Sequence, residues 1–357
     1  MPRSARNRQA ANPARAPVAS HRVLIVDDSV VVRAAISQMI DSTDRFVVMG
    51  AVGNAAAALA FLKTNKVEIL LLDIEMPGVD GLTALPDLLK AGMGAKILIV
   101  SSSASVGGAA TLQALALGAA DTLVKPGTGE LAGRFAHLLE ERLSRLVDQP
   151  AELPPVAAAR PAPAISPFDI VAIGASTGGI HALSTLLRAI PAAVDVPILV
   201  TQHLPPSFMP YFAAQLALLA SRPCDIATEY MRIRRGRIIV APGNAHMCVV
   251  RTSEGGAIRL SSQLAPSGCM PSVDPMFASI ATSFGARALC VVLSGMGRDG
   301  SIGAADVLAA GGAVVVQDRA SSVVWGMPGA IAASGDATAI LAPDAIGQLI
   351  AERRRPR

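Results

Sequence analysis

The stretch Asp169 to Gly179, D-I-V-A-I-G-A-S-T-G-G, decides the fold of this chain. Ile170 to Ile173 is an unbroken apolar run, the pattern of a strand buried on both faces. It stops at Gly174. Gly178 and Gly179 follow, and then a helix-like segment from Ile180 to Ile190. Strand, tight glycine turn and helix form the geometry that lifts one side chain onto an exposed bend, here Ser176. That hydroxyl would stand at the carboxyl end of a strand, beside helix N–H groups that favour a developing anion. A G-x-S-x-G-G loop also fits a degenerate dinucleotide cradle, so the turn alone leaves nucleophile and phosphate loop open.

Outward from this turn, the C-terminal half repeats the pattern. Pro197 to Val200 ends in Thr201-Gln202-His203, and Ala288 to Leu293 ends in S-G-M-G-R-D-G, residues 294–300. Ala313 to Val316 ends in Gln317-Asp318. Arg237 to Val240 and Met247 to Val250 flank Ala241-Pro242-Gly243-Asn244, which predicts a hairpin. The class is a doubly wound α/β sheet, which binds ligands at the carboxyl ends of its strands. Ser176, His203 and Asp299 all fall at such ends. An acyl transfer needs these three: a serine that attacks, a histidine that takes its proton, and an aspartate that orients the imidazole. Asp318 also ends a strand, but the glycines around Asp299 favour the latter. Gly178-Gly179 and Gly295-Met296-Gly297 would bring backbone N–H groups to an oxyanion. His181 sits too far along its helix to reach back to Ser176, and His246 in the hairpin could line a substrate groove. The order Ser, His, Asp is not that of the α/β-hydrolases.

The N-terminal half is a second α/β unit. Val23 to Val26 ends in Asp27-Asp28, residues 67–72 end in Asp73, residues 96–100 end in Ser101, and Leu123-Val124 ends in Lys125-Pro126. Carboxylates on adjacent strand ends repel unless a cation sits between them, and an all-oxygen site suits Mg²⁺. An acyl phosphate on Asp73 would meet the metal, the Lys125 ammonium and the Ser101 hydroxyl together. A helix with apolar positions Leu131, Phe135, Leu138, Leu139 and Leu146 closes the unit, with His137 on its surface. Six prolines between Pro150 and Pro167, set among alanines, read as a semi-extended tether.

The net charge of +4 is carried by the ends. Residues 1–22 hold five arginines and no acid, and residues 351–357 hold four arginines and Glu352, leaving the body at 4 − 8 = −4. That excludes a basic nucleic-acid-binding body. No apolar run is long enough to span a bilayer, and residues 1–20 have no apolar signal core, so a cytoplasmic, non-embedded protein is expected. The four cysteines, Cys224, Cys248, Cys269 and Cys290, form no C-x-x-C pair and read as ordinary thiols of a reducing compartment, with no zinc site expected.

V-D-D-S, L-L-D-I-E-M-P-G-V-D-G-L and L-V-K-P resemble the response-regulator receiver family. The resemblance implies a flavodoxin-like five-stranded parallel sheet, with Asp73 as phospho-acceptor, Ser101 and Lys125 as switch residues, and Mg²⁺ held by Asp28, Asp73 and the Glu75 carbonyl, with Asp27 helping through water. Thr122 stands where many receivers carry an aromatic residue. Together with I-G-A-S-T-G-G, T-Q-H-L-P, V-A-P-G-N-A-H-M, P-S-V-D-P-M-F, L-S-G-M-G-R-D-G and V-V-W-G-M-P, the chain resembles the CheB chemotaxis methylesterase family. This implies catalysis by Ser176, His203 and Asp299 with support from Thr177 and the Met296 backbone. It also implies methyl-accepting chemoreceptors as substrates, a chemotaxis-type sensor histidine kinase as partner, glutamate demethylation and glutamine deamidation, and no cofactor for the esterase. Met270 replaces an arginine usual before P-S-V-D; Arg232, Arg234, Arg235 and Arg237 are candidate substitutes for its charge. The expected layout is a basic tail (1–20), receiver (21–146), Pro/Ala linker (147–167), doubly wound α/β methylesterase domain (168–350) and basic tail (351–357). The competing readings are a non-enzymatic signalling adaptor and a receiver fused to a nucleotide-binding domain; the latter lacks a Walker lysine and an acid after the next strand.

Overall fold

The structure is a computed structural model that describes residues 20–101, 108–125, 132–147, 165–253 and 255–353. The N-terminal unit alternates β1 (His21–Val26), α1 (Val30–Asp41), β2 (Phe46–Val52), α2 (Ala55–Leu62), β3 (Ile69–Leu72), α3 (Gly81–Ala91), β4 (Lys96–Ser101), α4 (Gly108–Leu117), β5 (Asp121–Val124) and α5 (Ala132–Val147). The five strands are parallel in the order β2-β1-β3-β4-β5. β3 is buried at every position, whereas β2, at the sheet edge, alternates buried or half-buried with exposed residues. That alternation makes β2 the weakest strand in the sequence pattern. Ser29, Asn54 and Asp80 start α1, α2 and α3 by accepting a backbone N–H in the first turn.

The C-terminal unit runs β6 (Ile170–Ala175), α6 (Gly179–Arg188), β7 (Ile198–Gln202), α7 (Met209–Ala220), β8 (Cys224–Ile226), β9 (Ile238–Val240), β10 (His246–Thr252), β11 (Gly255–Ser261), α8 (Val273–Phe284), β12 (Ala288–Val292), α9 (Ser301–Ala309), β13 (Ala313–Gln317), α10 (Met327–Ser334), β14 (Ala339–Leu341) and α11 (Pro343–Arg353). A seven-stranded parallel sheet has the order β14-β13-β12-β6-β7-β9-β8. β6 therefore lies where the chain changes direction across the sheet, with β7 on one side and β12 on the other. Such a switch point opens a crevice beyond the strand ends.

The expected hairpin between residues 237–240 and 247–250 does not form. β9 is a fully buried strand of the parallel sheet, paired with β7 and β8, and β10 pairs antiparallel with β11 instead. The apolar run Ile238-Ile239-Val240 has no polar face to give to solvent, so it goes to the sheet interior. α11 continues through Arg353, so residues 351–353, assigned above to a basic tail, are helical. Residues 1–19, most of the linker and residues 354–357 lie outside the described residues.

One face of the large sheet is covered by α8 and α10, through Phe277, Ile280 and Ile331. The other carries α6 and α7, and here the core does not end at the domain. Leu112 and Leu115 of α4 join the same buried cluster as Leu183 and Phe212. α4 of the receiver packs directly against α6 and α7. Burying such leucines contributes about 2 kcal/mol each, so the receiver is docked on the C-terminal unit by packing.

Candidate active site

Ser176 follows β6 and His203 follows β7, and these strands are paired up to Ala175 and Gln202. Asp299 comes from the loop after β12, on the other side of β6. Three strand ends thus bring the three residues to one edge. His203 Nε2 bonds Asp299 Oδ2 at 2.8 Å. Ser176 and His203 line one cavity of ≈ 380 Å³, together with Gln202, Cys269 and Met270.

The Ser176 turn is pinned from both sides. Its amide donates to the Ser294 carbonyl at 3.0 Å, and its own carbonyl accepts from Gln202 Nε2 at 2.9 Å and the Gly179 amide at 2.8 Å. Gly178 sits at φ +75°, a left-handed conformation that favours glycine, and a methyl there would overlap Val323.

Asp299 is 2% exposed and tightly held. Ser272 Oγ donates to its Oδ1 at 2.6 Å, and the Val273 amide donates to its Oδ2 at 2.8 Å. Val273 opens α8, so the carboxylate rests on a helix N-terminus, where the helix dipole favours negative charge. Burial alone would raise the Asp299 carboxyl, but His203, Ser272 and the Val273 amide outweigh it and hold it below the usual carboxylate range. Burial works against a charged His203 too. Its hydrogen bond with Asp299, with the nearby Cys269, outweighs that and lifts it to about 9.

The remaining candidates separate. Asp318 accepts the Ser321 amide at 2.7 Å and serves its own turn. His246 does not line a groove, as the hairpin expectation had it. It is buried, its Nδ1 accepts the Ser272 amide at 2.8 Å, and its Nε2 donates to the Gln263 carbonyl at 2.7 Å. It becomes a brace behind Ser272 because β10 sits inside the domain. Two of the candidate oxyanion amides are spent internally: Gly179 on Ser176, and Gly295 on the Val324 carbonyl at 3.0 Å. The Met296 side chain is 38% exposed.

The receiver reaches into this edge. The Gly178 amide donates to the Ala120 carbonyl at 2.9 Å, and Thr177 Oγ1 donates to Asp121 Oδ2 at 3.3 Å. Arg142 of α5 donates to the same Asp121 oxygen at 2.9 Å, and Arg142 and Arg145 line the Ser176 cavity. His181 Nδ1 donates to the Ala116 carbonyl at 2.9 Å. Arg235 and Arg237 are bound to Asp195 and Asp225 at the amino-terminal ends of the strands, the far edge from Ser176, so they do not replace a charge at Met270.

In the receiver, Asp27, Asp28 and Asp73 bring carboxylate oxygens within 4.8 Å of one another. Lys125 Nζ bridges them, 2.8 Å from Asp27 Oδ2 and 2.7 Å from Asp73 Oδ2. The Glu75 amide donates to Asp73 Oδ1 at 3.2 Å. Burial pushes the Asp73 carboxyl up, against the pull of Lys125. The Ser101 hydroxyl is buried without a partner among the described residues. An all-oxygen donor set beside a lysine and an unspent hydroxyl fits Mg²⁺ and a phosphoryl group. The Thr122 hydroxyl is likewise buried and unpartnered among the described residues.

A family model described as CheB methylesterase matches residues 171–350, and the response regulator receiver domain model matches residues 23–134. The chain belongs to the CheB methylesterase family. A relative from Caulobacter vibrioides, named protein-glutamate methylesterase/protein-glutamine glutaminase 2, is 41% identical over 344 residues, which cover 94% of this chain and 99% of the relative. One from Paramagnetospirillum magneticum, named protein-glutamate methylesterase/protein-glutamine glutaminase 1, is 38% identical over 354 residues, covering 90% of this chain and 93% of the relative. The crystal structure of the Thermotoga maritima CheB methylesterase catalytic domain matches with a TM-score of 0.50 at 30% identity, covering 52% of this chain and 98% of that one.

Within this CheB-family site, sequence reasoning missed Gln202, Ser272 and Asp274, and gave His246 the wrong place. Asp274 accepts the Gly303 amide at 2.9 Å and ties α8 to α9. Burial raises its carboxyl. The signal was present in Ser272-Val273-Asp274, a polar pair opening a helix, but its partner Asp299 lies 27 residues beyond Ser272.

Proposed function

We propose that this chain hydrolyses glutamate methyl esters on chemoreceptors, releasing methanol, and deamidates receptor glutamines, under control of receiver phosphorylation. The observation that carries this reading is the His203–Asp299 pair at 2.8 Å beside Ser176, in a cavity the receiver also lines. Because Nε2 faces Asp299, Nδ1 is the nitrogen left for the Ser176 hydroxyl. Neutral His203 takes the hydroxyl proton as Ser176 Oγ attacks the ester carbonyl. The tetrahedral intermediate collapses, and His203 returns the proton to the departing methoxide, releasing methanol. Water, deprotonated by the same imidazole, then cleaves the acyl-enzyme to glutamate. With an amide substrate, ammonia leaves in place of methanol. Asp299, fixed by Ser272 and the α8 N-terminus, holds the ring and stabilises its charged form.

In this arrangement the receiver occupies groups that the reaction needs. Ala120 takes the Gly178 amide and Asp121 takes the Thr177 hydroxyl. Mg²⁺ would be held by Asp28, Asp73 and the Glu75 carbonyl, with Asp27 helping through water, and there it would neutralise phosphoryl oxygens. A phosphoryl group on Asp73 would take Lys125 away from the carboxylates and engage Ser101. Between two packings of the receiver, the phosphorylated form favours the one that uncovers Ser176. A chemotaxis-type histidine kinase would supply the phosphoryl group, and acting with these partners would put the protein in the cytoplasm. Among the described residues no helix is long and apolar enough to cross a membrane. The test is methanol release from methylated receptor membranes by wild-type protein and Ser176→Ala. Release that survives Ser176→Ala would overturn the assignment.

A further inference from the structure

Cys269 is the cysteine beside the candidate triad. It lies in the turn before α8, half-buried, and lines the same cavity as Ser176 and His203. Donor atoms of Cys269, His203 and Asp299 all lie within 4.8 Å of one another. The three come from separate loops: after β7, before α8 and after β12. Two of them are already fixed, Asp299 by Ser272 and Val273, and His203 by Asp299. Cys269 is positioned by its amide, which donates to Ser267 Oγ at 3.3 Å. Cys290, by contrast, is wholly buried in β12.

A thiolate, an imidazole and a carboxylate are the donors of a borderline-soft ion, unlike the all-oxygen set in the receiver. Zinc bonds of about 2.0–2.3 Å put tetrahedral ligand atoms about 3.3–3.8 Å apart. The observed cluster can close on an ion with sub-ångström to ångström adjustments, and His203 and Cys269 both line the cavity.

We propose that Cys269, His203 and Asp299 form a zinc site that switches the esterase off. Zinc binding forms Zn–S, Zn–N and Zn–O bonds; the Cys269 thiol proton goes to solvent, and no electron is transferred. With the ion on Nε2, the nitrogen that faces Asp299, the His203–Asp299 hydrogen bond is lost and the ion's charge opposes protonation of Nδ1, so the base is disabled beside the cavity that Ser176 lines. A chelator reverses it. The inhibitory half rests on His203 acting as the base; the metal-binding half does not.

The test uses the full-length protein in excess Mg²⁺, which fills the receiver site. Co²⁺ titration should produce a thiolate-to-metal charge-transfer band that saturates at one equivalent, is displaced by Zn²⁺, and is lost in Cys269→Ser and Cys269→Ala. Zn²⁺ should suppress methanol release, a chelator should restore it, and both variants should need at least about tenfold more Zn²⁺ for the same loss. Thermal melts of the variants check that they fold. No band, or an unchanged band in the folded variants, overturns the site. Equal zinc sensitivity of wild type and variants overturns Cys269 as a ligand. A band without loss of methanol release overturns the inhibitory half, and with it the place of His203 as the base.

Discussion

At the scale of residues, the candidate triad depends on what stands behind Asp299. Ser272 donates to it at 2.6 Å in a buried setting, and hydrogen bonds to charged groups are worth about 1.5–3 kcal/mol. Ser272→Ala should therefore lower kcat/KM about 10- to 100-fold, mainly in kcat, in a steady-state methanol assay. An unchanged kcat would remove Ser272 from the site. His203 makes a second prediction, because it is held at about 9 by Asp299 and Cys269 against burial. A folded pKa above the ordinary 6.5 contributes stability that is fully present below 6.5 and is lost as pH rises through about 9. Chemical denaturation between those limits should find the wild type losing stability relative to His203→Gln; parallel curves would refute this. Activity runs the other way, since only neutral His203 accepts a proton, so methanol release should climb through the same interval. Ser176, His203 and Asp299 were legible because each ends an apolar strand. Ser272 and His246 were not, because a hydrogen bond across 26 or 27 residues leaves no periodicity.

At the scale of elements, the strand–turn–helix around Ser176 carries the most constraint. Gly178→Ala forces a methyl into Val323 at a positive φ, a strain of about 1–3 kcal/mol. Urea denaturation should place the variant lower by about that amount, and an unchanged midpoint would mean the turn relaxes freely. The parallel strands were readable as continuous apolar runs, β6, β7, β12 and β13 above all. β9 was misread because proline and glycine after a short apolar run look like a hairpin turn, while its burial is decided by neighbours far along the chain. The three-residue strands β8 and β14 are half-buried edges with too few positions to show a period.

At the scale of the whole molecule, the receiver packs on the catalytic unit, and the proposed gating makes it both cap and latch. Its α4 shares a core with α6 and α7, and Ala120 and Asp121 take two polar groups next to Ser176. Two domains were legible from the proline-rich tether and the two sets of strand ends, but the docking of one on the other is a matter of surface fit that no local pattern encodes. Asp121→Ala should release Thr177 and Arg142, raising methanol release without a phosphodonor several-fold, about 1 kcal/mol of latch. Unaltered basal release would make Asp121 a bystander. The most direct test of phosphorylation-gated ester hydrolysis is methanol release from methylated receptor membranes. It would compare the full-length protein with and without a small phosphodonor and Mg²⁺, alongside Asp73→Asn. Release that rises with the phosphodonor in the wild type and stays at the basal level in Asp73→Asn is the predicted result; equal stimulation of both proteins would contradict it.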